Sequence, residues 1–271
     1  MSGADLLGAL GPGTAEAPAP RKPVLVVPRA RGRNGVSTLA DWMIQRGRHA
    51  GRRVKPLDGD HHRSGTLTRL YPAGDGEGAE DAAAFPPGED AYDVKGWMLR
   101  EFDAMAEDGV SRVLDLGGGE KIVRELVREL ALPEFCEGIG AELVPVFVLG
   151  PEREDLRHVV QIIRSGDLKG AAPVLVLNEG VVRHGQSTAG VFGPVFAAPD
   201  FRALLADGAR YVTMDRLVCM DALRDAGLGF YDAAYPAEGV RVSATMRAMT
   251  AKWLRDNEAR HAEAGTAGRL P

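Results

Sequence analysis

The 271-residue chain is 45% hydrophobic, carries 34 glycines and has a formal charge of −5, which is enough apolar material for one sizeable core and too acidic a balance for wholesale coating of nucleic acid. No apolar run approaches the about 18 residues that suggest a membrane span, and the N-terminus lacks the charged-then-apolar pattern of a secretory signal, so a cytoplasmic protein without a membrane span is expected. Cys136 and Cys219 are too few for a disulfide framework and have no metal-ligand spacing, so neither a structural metal nor a disulfide is expected from them.

Residues 1–22, rich in Ala, Gly and Pro, read as a disordered tail. An α/β domain is expected over 23–236, with a C-terminal helix and tail over 237–271. The domain opens with Val24-Leu25-Val26-Val27-Pro28, then a loop from Arg29 to Thr38 holding Gly32 and Gly35, then Leu39, Trp42, Met43 and Ile44 on one helical face. This is strand, phosphate-sized loop and helix. Backbone N–H groups of such a loop converge on one concavity, and the helix N-terminus adds partial positive charge, so an anion is favoured there. A glycine-rich strand-to-helix turn without a ligand is the competing explanation. Residues 21–63 hold eleven Lys/Arg against three Asp, a basic region that coincides with the loop, although a solvated helix face accounts for Arg46, Arg48 and Arg52.

Gly51 ends the helix, and 53–57 form a short second strand running into Asp58-Gly59-Asp60-His61-His62 and then Ser64-Gly65-Thr66-Leu67. Carboxylates at a strand end beside a phosphate loop suit water positioning or metal coordination; an Asx-type turn would use the same residues. The adjacent histidines point apart on an extended chain and read as solvated. Residues 73–90 are acidic and rich in Ala, Gly and Pro, the composition of a mobile connection, whether lid or solvated loop. A helix over 93–108 buries Val94, Trp97, Met98, Phe102 and Met105. The run Arg112-Val113-Leu114-Asp115-Leu116 followed by Gly117, Gly118 and Gly119 is a buried strand ending in an acid and glycines, the construction of a Walker B and switch II element; a glycine turn into a helix over 121–130 is the alternative. Strands at 143–149, 172–177 and 211–214 alternate with helices at 151–164, 201–206 and 221–226. The pattern predicts a doubly wound, mostly parallel sheet with helices on both faces. Asn178, at the end of the 174–177 strand, can pair with a purine edge or cap a turn.

In this order the elements from 24 to about 235 resemble the ParA/MinD/MipZ branch of P-loop ATPases. Arg31 to Thr38 lies where that family has its deviant Walker A motif, Asp58-Gly59-Asp60 with Thr66-Leu67 resembles its switch I, Val113-Leu114-Asp115 with Gly117 its switch II strand, and Leu177-Asn178 its base-binding strand end. Met214-Asp215-Arg216-Leu217 and 222–230 are similar to the unit that borders the adenine. The resemblance implies ATP and Mg²⁺ as cofactors, nucleotide-dependent homodimerisation, an adaptor protein or DNA as partner, and a role in partitioning plasmids, chromosomes or division machinery. It places Gly32, Arg33, Asn34, Gly35, Val36, Ser37 and Thr38 around the phosphates, Asn178 and Asp215 at the base, Ser37 and Asp115 at the metal, Asp60 as water-positioning carboxylate and Arg31 at the signature lysine. Val36 falls on the Walker lysine and cannot neutralise phosphate charge, while Arg33 replaces a glycine. Nucleotide binding with weak or absent hydrolysis is therefore expected, with Arg29, Arg31 and Arg33 as replacement charge. A non-catalytic scaffold that binds proteins is the alternative; an ATP-dependent ligase such as dethiobiotin synthetase is a third reading without a substrate motif to carry it.

Beyond the sheet, Val242, Met246, Met249 and Trp253 recur as one helical stripe, with Arg241, Arg247, Lys252, Arg255 and Glu258 largely off it. The stripe is expected to dock on the domain, with the chain frayed after about 262.

Overall fold

The computed structural model describes residues 21–60, 62, 65–73, 81–116, 120–183 and 185–271. Residues 1–20 of the expected tail over 1–22, His61, residues 74–80 of the acidic connection over 73–90, and Gly117 to Gly119 lie outside the described residues. In chain order the elements are β1 (Val24–Arg29), α1 (Val36–His49), β2 (Val54–Asp58), α2 (Thr66–Leu70), α3 (Ala91–Asp108), β3 (Ser111–Asp115), α4 (Glu120–Glu129), α5 (Leu132–Gly138), β4 (Glu142–Leu149), α6 (Arg153–Arg164), β5 (Val174–Asn178), α7 (Thr188–Ala197), α8 (Pro199–Ala206), β6 (Arg210–Met214), α9 (Met220–Asp225), α10 (Phe230–Ala234) and α11 (Ala244–Glu263).

The six strands form one sheet in the order β2-β3-β1-β4-β5-β6, and every paired neighbour is parallel. This is a doubly wound, parallel α/β architecture. Because successive strand residues face opposite sides, β1 splits its apolar run. Val24 and Val26 pack with α1 and α11 through Trp42, Met43, Trp253 and Leu254, while Leu25 and Val27 pack with α3 and α5 through Met98, Phe102 and Leu132. Farther along the second face, Phe147, Leu149, Leu175 and Leu177 meet α6 to α8 through Val159, Phe192 and Phe201. Covering both faces is what near-continuous Val/Leu strands require.

All six strands appear at or within two residues of their expected positions. The helices α2, α5, α7 and α10 were not expected. Each is short or locally atypical: α7 contains Gly190, Gly193 and Pro194 and starts where the Ser187 hydroxyl accepts the Gly190 N–H at 3.1 Å, a capping bond that composition hides.

Two expectations about mobile segments are corrected. At the edge of the sheet, residues 81–84 are not a free connection: Ala84 bridges Leu57 in parallel, Asp58 N–H donates to Ala84 O at 2.8 Å and Ala84 N–H to Pro56 O at 3.0 Å. Backbone pairing covers the β2 edge without help from side chains. At the other end, the chain does not fray after 262. It turns through a 3₁₀ segment, Ala267–Arg269, and buries Leu270. The buried Arg46 guanidinium from α1 donates to Ala267 O at 3.1 Å and Pro271 O at 2.5 Å and pairs with Glu258 at 2.7 Å, so one arginine ties the terminal segment to two helices.

The helix α11 docks on the domain as expected, but on a rotated stripe. Thr250, Trp253, Leu254, Asn257 and His261 are its buried residues, whereas Met249 is 45% exposed and Val242 precedes the helix. Trp253 stacks on Phe230 at 4.9 Å between centroids and His261 on Trp42 at 5.0 Å. Two of the polar members have partners that a count of apolar residues cannot reveal: the His261 ring Nδ1 meets Thr266 Oγ1 at 2.8 Å and Thr250 Oγ1 lies 3.7 Å from Cys219 Sγ.

Candidate functional site

The C-terminal ends of the parallel strands gather the chemistry-bearing residues at one edge of the sheet, where open α/β folds bind ligands. β1 ends at Arg29, and residues 30–35 turn into α1. Gly32 and Gly35 take positive φ of 73° and 90°, which lets the loop curl back on itself; Asn34 N–H donates to Gly32 O and its side-chain amide to Arg31 O, both at 3.0 Å. The left-handed Gly35 is the N-cap of α1 and offers no side-chain cap. The first-turn N–H groups of α1 therefore point out of the helix without a capping acceptor from that residue, as an anion cradle requires.

Strand order brings the acid to the loop. β3 lies beside β1, and Ser37 Oγ in the first turn of α1 donates to Asp115 Oδ2 at 2.5 Å. Asp115 is 3% exposed. A hydroxyl and a carboxylate held together beside a phosphate-sized loop form a hard-oxygen donor pair of the kind Mg²⁺ shares with nucleotide phosphates and water. These residues fit the cation as part of a nucleotide complex. Among the described residues no cluster of three or more His, Cys, Asp or Glu offers a self-sufficient metal site.

Asn178 sits at the end of β5, two strands from β1, and braces the loop. Its Nδ2 donates to Asn34 O at 2.7 Å, and its Oδ1 accepts the Gly180 N–H at 2.8 Å, so the turn-capping role is realised and both amide ends are used within the protein. A Cβ on Gly35 would collide with that amide.

Arg31 leaves the loop's concavity for the β4–α6 junction: its Nη1 lies 3.3 Å from Glu152 and 3.7 Å from Asp155. Asp155 is held above the usual carboxylate range chiefly by burial, against the Asn34 side chain and Gly150 N–H that hydrogen-bond it. Arg33 is exposed, and Val36 is half-buried with its side chain against the core beneath β1. Thr38 Oγ1 accepts a bond of 2.7 Å from Arg224 Nη2 of α9. The spacing of 186 residues explains why no sequence motif announced it.

The Asp-x-Asp pair divides its work. Asp58, fully buried, accepts the Thr68 N–H at 2.8 Å and hydroxyl at 2.6 Å, so it holds α2 against the end of β2. Asp60 lines a hollow of about 30 Å³ with His62, Glu89 and Leu116, on the β2 side of β3. His62 Nε2 lies 3.1 Å from Pro86 O. Asp215, at the end of β6, is engaged by α11: Arg260 Nη2 lies 2.8 Å from its carboxylate and Trp253 Nε1 donates to its carbonyl at 2.8 Å.

One buried polar cluster went unread in the sequence. Asp41, one turn along α1 from Ser37, accepts from Tyr71 Oη at 2.6 Å and Gln45 Nε2 at 2.7 Å. Burial raises its pKa above the ordinary range and raises that of the Tyr71 hydroxyl further. Gln45 Oε1 in turn accepts the Tyr231 N–H at 3.2 Å. A charged residue on the apolar face of α1 was the available signal.

No protein-family model matches the chain, and no curated protein matches it. Among solved structures it is similar to the MinD cell division protein of Aquifex aeolicus, at 14% identity over 88% of this chain and 97% of that one, with a TM-score of 0.46. It is also similar to apo McdA of Cyanthece, at 11% identity over 86% and 98% with a TM-score of 0.44. A third similar structure is chloroplast FtsY of Physcomitrella patens, at 14% identity over 73% of this chain with a TM-score of 0.42; the chain spans 60% of that structure's length.

Proposed function

We propose that the chain is a nucleotide-binding switch of the ParA/MinD kind that binds Mg-ATP and turns it over weakly or not at all. The observation that carries this reading is the 2.5 Å bond between Ser37 and Asp115 at the mouth of the glycine loop, because two hard-oxygen groups, one from the first turn of α1 and one from the end of β3, meet where a nucleotide-bound cation would need them. Ser37 and Asp115 hold the cation, directly or through water, and the loop from Gly32 to Thr38 receives the phosphates. When bound, the cation neutralises charge on the phosphate oxygens. The chain's own limits follow from Val36, whose isopropyl group brings no charge to the loop, and from Arg31, whose guanidinium is paired with Glu152. Binding is thereby separated from turnover.

In this reading the nucleotide promotes homodimerisation, and the cellular role is the partitioning of DNA or division machinery through an adaptor protein or DNA. The alternative is a scaffold that keeps the fold and has given up the ligand, favoured by the engagement of both amide ends of Asn178 within the protein. Calorimetric titration decides between them. Wild-type protein should bind ATP in a magnesium-dependent manner, and Ser37→Ala should weaken that affinity by about tenfold or more, the scale on which metal-site partners act. Absence of binding at millimolar Mg-ATP would leave only the scaffold.

A further inference from the structure

We infer that Arg224 supplies the cation that Val36 withholds, closing from α9 over the first turn of α1 to bind a phosphoryl group of the nucleotide. The inference rests on the nucleotide-binding reading above and adds a residue to it. Four arginines stand near enough in the chain or in space to be considered. Arg29 is buried at the end of β1, Arg31 is committed to Glu152 and Asp155, and Arg33 is exposed on the loop. Arg224 alone among the four is anchored on the helix that follows the loop, through Nη2 to Thr38 Oγ1 at 2.7 Å. Thr38 is the neighbour of Ser37, whose hydroxyl meets Asp115, so the guanidinium and the hard-oxygen pair flank the same helical turn.

The placement puts a cation beside a helix start that itself favours anions. A helix N-terminus carries about +0.5 of an elementary charge and favours negative partners, yet here a guanidinium approaches it. A bound phosphate reconciles the two, accepting from the first-turn N–H groups and from the guanidinium together. Arginine has five N–H donors in a rigid fork, and the bond to Thr38 engages one nitrogen of it, so the fork can take a phosphate oxygen without leaving its anchor. The rival explanation is that Arg224 serves the buried Asp41, which feels its charge from one turn away. That role concerns stability and leaves nucleotide affinity untouched.

The test is fluorescence titration of the full chain with Mg-ATP and, separately, with inorganic pyrophosphate, for wild type, Arg224→Gln and the control Arg157→Gln, whose arginine pairs with Glu154 on the surface of α6. Arg224→Gln should bind both ligands about tenfold or more weakly, as loss of a charge-assisted hydrogen bond implies, while the control matches wild type. If wild type binds and Arg224→Gln binds equally well, the inference falls and the nucleotide reading stands. If wild type binds neither ligand, both fall. Should Arg224→Gln fail to fold, phenylglyoxal labelling of wild type read by mass spectrometry decides: Mg-ATP must protect Arg224, and equal labelling with and without it overturns the assignment.

Discussion

The loop is set by what each residue excludes as much as by what it binds. Gly35 has φ of 90° and its absent Cβ leaves room for the Asn178 amide, so Gly35→Ala imposes a strained backbone and a steric clash at once. It should lower stability by about 1–3 kcal/mol in urea unfolding. Gly51, also at positive φ but with open space about its missing Cβ, should show the backbone penalty alone and so a smaller loss when made alanine; equal losses would mean that Asn178 does not brace the loop. The glycine spacing was readable as a loop because glycine advertises its conformational freedom. The partners of that loop were not, because Asn178, Glu152 and Arg224 reach it from far along the chain, and a hydrogen bond between distant residues leaves no periodicity to detect. Val36 shows the same limit from the other side: its identity marked a missing charge, while its packing against the core became visible only in three dimensions.

Among the elements, α11 shows what an apolar count misses. Its stripe was displaced because His261, Asn257 and Thr250, polar by type, lie on the buried face, held by contacts such as the His261–Thr266 hydrogen bond. His261 has its pKa lowered to about 3, first by burial and then by the Arg46 charge. The unfolded chain therefore takes up a proton near pH 6.5 that the folded chain refuses until far lower pH. The stability held above the unfolded value is lost as pH falls through that window, at up to about 1.4 kcal/mol per pH unit from this one group. Asp41 acts in the opposite sense, since its raised pKa favours the fold on the acid side. Replacing the imidazole by a ring that cannot be protonated isolates the first effect: His261→Phe, which keeps a stacking partner for Trp42, should flatten the pH dependence of urea unfolding between about pH 6 and 4 relative to wild type. An unchanged slope would place the acid sensitivity elsewhere. The six strands, by contrast, were legible to within two residues because buried parallel strands are runs of Val and Leu bounded by turn residues.

For the whole molecule, alternation of strands and helices was enough to predict a parallel sheet, but not which strand lies beside which. The observed order separates β1 from β2 by the late-arriving β3. Leu25 is in register with Arg112 and Val24 with Glu142, so the most apolar strand of the first hundred residues has no backbone partner until segments far downstream exist. The opening β–α–β unit is thus complete in sequence yet incomplete as a folding unit, and loop closure must precede its reward. At the usual pace of synthesis, about 5–20 residues per second, β1 spends several seconds off the ribosome as an unpaired hydrophobic strand, the kind of segment that chaperones retain and aggregates recruit. Pulse-labelling hydrogen exchange during refolding should show β1 amides gaining protection together with those of β3 and β4; protection of β1 ahead of β3 would contradict this order of assembly. The central position that delivers the glycine loop to Asp115 also commits the chain to vectorial delay, so its yield in the cell should depend on how long the nascent N-terminal third is shielded, more than on the stability of the finished fold.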